Sequence, residues 1–142
     1  MDDKIKEKIM KMTGKNRDAV VCSVDEEGFP AAKAMFRCAN EGIKTFWFST
    51  NTSAIRTGHF RRNPKACIYF ADYMVVRGVS LTGTMRVCDD AETKERFWKK
   101  GDEKYYPLGV TDPDYCILEF TAEKGNYYQG LKKCLFAVSE VG

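Results

Sequence analysis

Apolar and polar positions alternate most regularly over residues 75–88. The apolar members are Val75, Val79, Leu81, Met85 and Val87, and the polar members are Ser80, Thr82, Thr84 and Arg86. A period of two is typical of a half-buried strand, so this segment is predicted to be one. Gly78 and Gly83 interrupt the pattern, at points where a strand bends or another group approaches its backbone.

Five further segments have the composition of strands. Residues 18–38 form two β-rich runs around the turn signal DEEGFP, which predicts a hairpin. Residues 43–50, 65–72 and 115–121 are predicted strands, and residues 125–138 are expected to close the chain in extended form. Because most of these segments follow one another without intervening helices, the pattern predicts an antiparallel barrel or sandwich rather than a doubly wound sheet.

Three short helices complete the predicted elements. Residues 2–12 carry apolar side chains at helical spacing among lysines and acids. Residues 89–100 open with an acidic cap and are the second predicted helix. Residues 54–62 are predicted to start at an N-cap, Thr52 or Ser53, and to end before an Asn-Pro pair.

Composition narrows the class of protein. The 142 residues fit a single domain, residues 1–142, and the formal net charge is only +3. A broad electrostatic attraction to nucleic acid or anionic lipid is therefore not expected, and any anion site should be local. The N-terminal segment lacks the apolar core of a signal peptide, and no apolar run is long enough to span a bilayer. We expect a cytoplasmic protein with no membrane partner.

The six cysteines are scattered, and none forms a C-x-x-C pair. In a cytosolic setting they are expected to be free thiols that pack as small apolar side chains. Without paired ligands, no metal site is predicted.

The densest candidate chemistry lies between residues 47 and 64. Four hydroxyl side chains, Ser49, Thr50, Thr52 and Ser53, precede Arg56 at the predicted start of a helix. Unpaired N–H groups and the helix dipole favour a phosphate there, and a guanidinium one turn in would reach the same anion. The alternative is that the hydroxyls only cap the helix. For Ser53 and Arg56 both interpretations stay open, whereas Arg61 and Arg62 are expected to be solvated.

The chain resembles the pyridoxamine 5'-phosphate oxidase-like FMN-binding split-barrel proteins, in particular their general-stress-protein branch. The resemblance covers about residues 18–129 and rests on the order of GFPAAKAMF, FWFSTNTSAIRT, RRNPKACIYF, VSLTGTMRV and GVTDPDYCILEF. It implies a mainly β fold with short helices, a six-stranded antiparallel split β-barrel of Greek-key type. It also implies a homodimer with two FMN sites in the subunit interface.

The family's FMN contacts transfer onto matching positions of this chain. Thr50, Ser53 and Arg56 would hold the phosphate, and residues 33–36 would meet the ring and ribityl chain. Residues 128–129 would lie near the partner's flavin. The full set of expected cofactor-binding residues is Lys33, Ala34, Met35, Phe36, Phe48, Ser49, Thr50, Thr52, Ser53, Arg56, Tyr128 and Gln129.

The sequence also departs from true pyridoxamine-phosphate oxidases. Tyr128 stands where they carry a tryptophan, and the LKKCLF segment lacks their arginine and histidine. Oxidation of pyridoxine phosphate is therefore not expected. The resemblance implies an FMN-dependent oxidoreductase that moves a hydride from a reduced donor, such as a nicotinamide, to a small unknown acceptor; no catalytic residue is identified.

Several alternatives remain open. The first is a flavin-binding stress protein that stores or senses FMN without turnover, and the second is a nucleic-acid-binding barrel, which the low net charge disfavours. A related cofactor such as a deazaflavin is a third. Some split-barrel relatives bind haem through histidine, but the single histidine, His59, is expected to lie on the helix surface or to pack.

Overall fold

The computed structural model describes residues 1–14, 18–36 and 38–142. Within these residues the chain forms eight strands, three α-helices and three 3-10 turns. The strands are β1 (Ala19–Val24), β2 (Pro30–Met35), β3 (Ala39–Glu41), β4 (Thr45–Asn51), β5 (Lys65–Asp72), β6 (Arg77–Cys88), β7 (Tyr115–Gln129) and β8 (Lys132–Ala137). The α-helices are α1 (Asp3–Met12), α2 (Ile55–Arg62) and α3 (Ala91–Phe97), and the 3-10 turns are Asp102–Lys104, Gly109–Thr111 and Val138–Glu140.

All eight strands belong to one antiparallel sheet, which confirms the predicted mainly β class. Its order is β2-β1-β5-β6-β7-β4-β3, with β8 paired to β7. The β6 strand lines one edge of β7 along its length, whereas β4 and β8 share the other edge. Helix α2 therefore carries the chain across the β6–β7 pair, from β4 to β5.

Three boundaries differ from the sequence prediction. The segments 115–121 and 125–129 are parts of one 15-residue strand, β7, which turns at Gly130 into β8. The β6 strand begins at Arg77, because the four residues before it form a turn in which Val75 is 51% exposed. Strand β2 ends at Met35, and Arg37, within the predicted hairpin, lies outside the described residues.

Two apolar clusters pack on opposite sides of β4. The larger one fills the space enclosed by the sheet and includes Phe46, Phe48 and Phe120, all fully buried. The smaller one lies under α3, where the Trp47 ring stacks on Phe97 with centroids 5.1 Å apart. Consecutive residues of β4 thus enter different clusters, as the alternation of a strand dictates. Across the described residues, no helix has both the length and the apolar character needed to cross a membrane.

A bulge interrupts the β6–β7 ladder. Thr82 pairs with Lys124 and Gly83 with Ala122, so Glu123 is left without an opposite residue. A Cβ atom on Gly83 would overlap the carbonyl oxygen of Thr121, which is backbone. Glycine is therefore required by close approach at this position, the situation that a glycine inside a strand often marks.

Gly83→Ala is expected to lower the free energy of unfolding by about 3 kcal/mol, because neither backbone can move without breaking the ladder. Urea unfolding followed by circular dichroism measures the change. Gly58→Ala is the matched control: a Cβ there would meet its nearest atom, Nη1 of Arg62, at an ordinary 3.7 Å. That change inside α2 should stabilise the protein by up to about 1 kcal/mol. Equal free energies of unfolding for the two variants would contradict the conclusion that close approach requires a glycine at position 83.

Candidate functional site

Asp114 fastens the end of β4 to the loop before β7. Its carboxylate accepts hydrogen bonds from the Asn51 side-chain amide and the Ser53 backbone N–H, both at 2.9 Å. The Thr52 N–H donates to the Asp114 carbonyl at 2.7 Å, and the Thr52 hydroxyl donates to the Pro113 carbonyl at 3.0 Å. The bonds from Asn51 and Ser53 hold the pKa of Asp114 below its usual value.

Helix α2 starts later than predicted. Its N-cap is Ala54, with no side-chain cap, so the prediction of Thr52 or Ser53 as the cap is wrong. The physical reason is that Thr52 is engaged by the 113–114 carbonyls and Ser53 by the Asp114 carboxylate. The tertiary contact replaces the local cap.

Arg56 points back from the first turn of α2 toward the end of β4. Its Nη2 donates to the hydroxyl of Thr50 at 2.5 Å, and Thr50 is 2% exposed. The Nε of Arg56 is buried and has no hydrogen-bond partner. Burial lowers the pKa of the Arg56 guanidinium, yet an arginine stays charged at neutral pH. The site therefore holds a fixed positive charge with one unused buried donor.

A cleft of about 500 Å³ lies beside this guanidinium, between α2 and the β1–β2 hairpin. It brings together Lys33, Ser53 and Arg56, three residues predicted to bind the cofactor. Ser23, Asn51 and His59 also line it.

His59 also lines the cleft, although its place in the sequence predicted no binding role for it. It is 7% exposed, and its Nδ1 lies 2.8 Å from the Ser23 hydroxyl on β1. The expected packing role is confirmed, but the ring also forms part of the wall. Its position three residues after Arg56 was the available signal, because residues at that spacing share one face of a helix.

The remaining predicted residues are distributed more widely. Phe48 and Met35 are buried in the larger cluster, whereas Phe36 is 81% exposed after β2. The Ser49 hydroxyl lies 2.9 Å from the Cys38 sulfur, on the side of the smaller cluster. Ala34 is exposed on β2.

Tyr128 and Gln129 lie at the far end of β7. Gln129 lines a separate cleft of about 1010 Å³, where its side-chain oxygen accepts from Lys8 Nζ at 3.1 Å and from the Tyr127 hydroxyl at 2.9 Å. The hydroxyls of Tyr128 and Tyr69 are hydrogen-bonded to each other. Gln129 and Arg56 therefore line different clefts, and Tyr128 is a lining residue of neither.

The cleft beside Arg56 suits an anion on a small organic molecule. Its volume falls within the roughly 300–1,000 Å³ usual for such ligands. The charged guanidinium of Arg56 lines the cleft, and Lys33 adds a second positive charge to the wall. Arg61 and Arg62, expected to be solvated, pair with Asp89 and Glu26 on the surface.

Comparison with known families gives one match over most of the chain. The sequence model of the pyridoxamine 5'-phosphate oxidase family matches residues 5–129. A crystal structure from Clostridium acetobutylicum, of a protein related to general stress protein 26 and placed in the pyridoxinephosphate oxidase family, is 40% identical. That alignment covers 100% of both chains with a TM-score of 0.89.

More distant structures share the fold. General stress protein 26 from Bacillus anthracis is 17% identical over 93% of this chain and 98% of its own, with a TM-score of 0.72. A heme binding protein from Mycobacterium smegmatis is 13% identical over 96% of this chain and 59% of its own, with a TM-score of 0.74. A search of curated proteins gives no match.

Asp114→Asn is expected to lower the free energy of unfolding at neutral pH. It should also make that free energy less dependent on pH in the acid range. The folded pKa of Asp114 is depressed, so its contribution is present above the unfolded pKa of about 4 and is lost as pH falls through the folded pKa. The amide would also set a donor against one of the two present donors, the Asn51 amide or the Ser53 N–H. Urea unfolding at pH 7 and in acid measures both effects.

Asp89→Asn is the control for this measurement, since Asp89 forms a surface ion pair with Arg61 at 3.7 Å, and such pairs contribute little to stability. Its stability should follow the wild-type pH curve. If Asp114→Asn also follows the wild-type curve, the carboxylate does not fasten the β4 end as described.

Proposed function

The chain belongs to the pyridoxamine 5'-phosphate oxidase family, and on that premise we propose that it is an FMN-binding oxidoreductase acting as a homodimer. The observation that carries the proposal is that two cations, Arg56 and Lys33, line one cleft, and that the Nε of Arg56 is buried without a hydrogen-bond partner. A positive charge with an unused donor is costly to bury, and a phosphate oxygen would offset that cost.

The phosphate end of the proposed site is assembled by α2 and the end of β4. Arg56 is held by Thr50, so its guanidinium is oriented before any ligand arrives. Ser53 contributes a second polar group, and Asp114 fixes its backbone. An anion would therefore meet donors that need little reorganisation, which favours binding.

Lys33 is the proposed partner of the flavin ring. It is exposed on β2 and lines the same cleft as Arg56. Bound FMN would supply the hydride chemistry, and a lysine charge beside the ring would stabilise the negative charge that reduction adds. The chain's own contribution is to bind, orient and charge-stabilise, while the physiological donor and acceptor stay unassigned.

The proposed dimer accounts for large apolar side chains around the cleft. Ile55, which lines it, is 80% exposed, and Phe36 is 81% exposed. At the far end of β7, Met74 is 91% exposed and Leu131 fully exposed. Exposed apolar patches of this kind mark interaction surfaces. In a two-fold dimer Tyr128 and Gln129 would reach the partner's cleft, as the family resemblance implies.

A second candidate is a protein that stores or senses FMN without turnover. It is favoured by the names of the relatives, general stress protein 26, and by a cleft whose described lining residues include no carboxylate. Anaerobic mixing with NADPH or NADH separates the two. Bleaching of the bound flavin's visible band at a catalytically useful rate supports the oxidoreductase; an unchanged band supports storage or sensing.

Purified protein mixed with FMN and desalted is expected to keep an oxidised-flavin spectrum. Arg56→Ala should raise the FMN dissociation constant by about 10- to 100-fold, because a charge-assisted hydrogen bond is worth about 1.5–3 kcal/mol. Quenching of flavin fluorescence on titration with protein measures this dissociation constant. Riboflavin, which lacks the phosphate, should bind wild type and variant alike.

Arg61→Ala is the matched control on the same helix, and its FMN affinity should equal that of wild type. Wild-type affinity in Arg56→Ala would refute the phosphate assignment. Loss of added FMN from the wild type on desalting, or a haem band in its place, would overturn the cofactor proposal itself.

If FMN binds across the interface, it should also stabilise the dimer through linkage. Sedimentation velocity on dilute protein should show a larger dimer fraction with FMN than without it. In Arg61→Ala the shift should persist, and in Arg56→Ala it should shrink at the same FMN concentration. A monomer carrying stoichiometric FMN would contradict the shared site.

A further inference from the structure

Two cysteines face each other across the β1–β5 pair. In the antiparallel register of these strands, Val20 lies opposite Tyr69, and Cys22 lies directly opposite Cys67. Directly opposed residues have Cα atoms about 4.5–5.5 Å apart. A disulfide requires Cα atoms about 4.4–6.8 Å apart, so this placement satisfies the distance without backbone movement.

The side chains of both cysteines lie on the outer face of the sheet. In β1, Ala19, Val21 and Ser23 are buried and the residues between them, including Cys22, are half-buried; Cys67 is half-buried in β5. Opposed residues in a ladder share one face, so the two sulfurs are neighbours. A cleft of about 620 Å³ on this face is lined by both. A small oxidant therefore has access to them.

The two thiols differ in their surroundings. Burial, followed by the neighbouring Cys22, raises the pKa of the Cys67 thiol to about 11. Cys67 therefore stays protonated at neutral pH and is the weaker first nucleophile. Lys65, Lys124 and the bulge residue Glu123 line the same cleft, so the charges nearest to it are two cations and one anion.

We propose that Cys22 and Cys67 form a reversible disulfide within one subunit, with a peroxide as the oxidant. The Cys22 thiolate attacks one peroxide oxygen, the O–O bond breaks, and a sulfenic acid and water result once the leaving hydroxide takes up a proton. The Cys67 sulfur then attacks the Cys22 sulfur: the S–S bond forms, the S–O bond breaks, and hydroxide leaves with the Cys67 proton as a second water. The two sulfurs lose two electrons in total, and the peroxide gains them.

The remaining cysteines lack this arrangement. Cys88 and Cys116 are buried, and Cys38 is close to the Ser49 hydroxyl. Cys134 is half-buried like the pair, but Tyr127 faces it in the register of β7 and β8. Among the strand pairs of the described residues, Cys22 and Cys67 are the only cysteines directly opposed.

The disulfide would join β1 to β5 one residue from Ser23, which contacts His59 on the inner face. Closing a long chain segment restricts the unfolded state, so oxidation should raise the melting temperature by several degrees. Small thiols should reverse it by exchange. The proposal does not depend on FMN, since neither cysteine lines the cleft beside Arg56.

The test is limited oxidation of the full chain with hydrogen peroxide, followed by alkylation, thiol counting and peptide mapping by mass spectrometry. Wild type has six cysteines and should lose two free thiols, with a mapped Cys22–Cys67 link that dithiothreitol removes. Cys134→Ser should form the same link. Cys67→Ser should instead leave a sulfenic acid on Cys22, which dimedone traps.

Mapping of the wild-type protein decides the outcome even if a cysteine variant fails to fold. Retention of six thiols after peroxide treatment would overturn the proposal. So would a link between two chains on a non-reducing gel, or a mapped link that involves a different cysteine.

Discussion

The β6–β7 ladder is the constraint on which the rest of this structure depends. It runs the length of both strands and tolerates its bulge only because Gly83 has no side chain to meet the Thr121 carbonyl. The free edge of β7 then receives β4 along one half and β8 along the other. The β4 end that carries Thr50, and the β7 end that carries Gln129, are both positioned by this single strand.

Electrostatics at the β4 end differ from those of an ordinary helix cap. The loop carboxylate of Asp114 accepts from the backbone N–H of Ser53, α2 has no side-chain cap, and Arg56 faces the neutral hydroxyl of Thr50. A half-buried cation with only a neutral partner is unfavourable by itself. The fold accepts that cost where a cleft of ligand size adjoins the guanidinium, which is the pattern expected of a binding site.

Period-two patterning was sufficient to predict most of β6, because burial on one face produces regular alternation in the sequence, and strand-like composition was sufficient to predict β1 and β5. It did not locate the start of α2 or the joining of two segments into β7. Both depend on contacts between distant residues, such as Ser53 with Asp114, which are 61 positions apart. Ser53 and Arg56 could be selected as candidate ligands because they are close in the sequence. The contact between Ser23 and His59 could not, because it depends on how β1 packs against α2. Residue propensity and local spacing do not predict contacts between residues that are distant in the sequence.

The position of β7 also bears on how the molecule opens. Its amides are paired along both edges, so exchange of their hydrogens with solvent requires separation of several strands at once. The β1–β2 hairpin has only β5 beyond it and ends at an edge. Slow amide hydrogen exchange in β7 and faster exchange in β2 would divide the sheet into a rigid half and a half that opens more often. The cleft beside Arg56 lies between the β1–β2 hairpin and α2, so motion of the hairpin would change the width of that cleft.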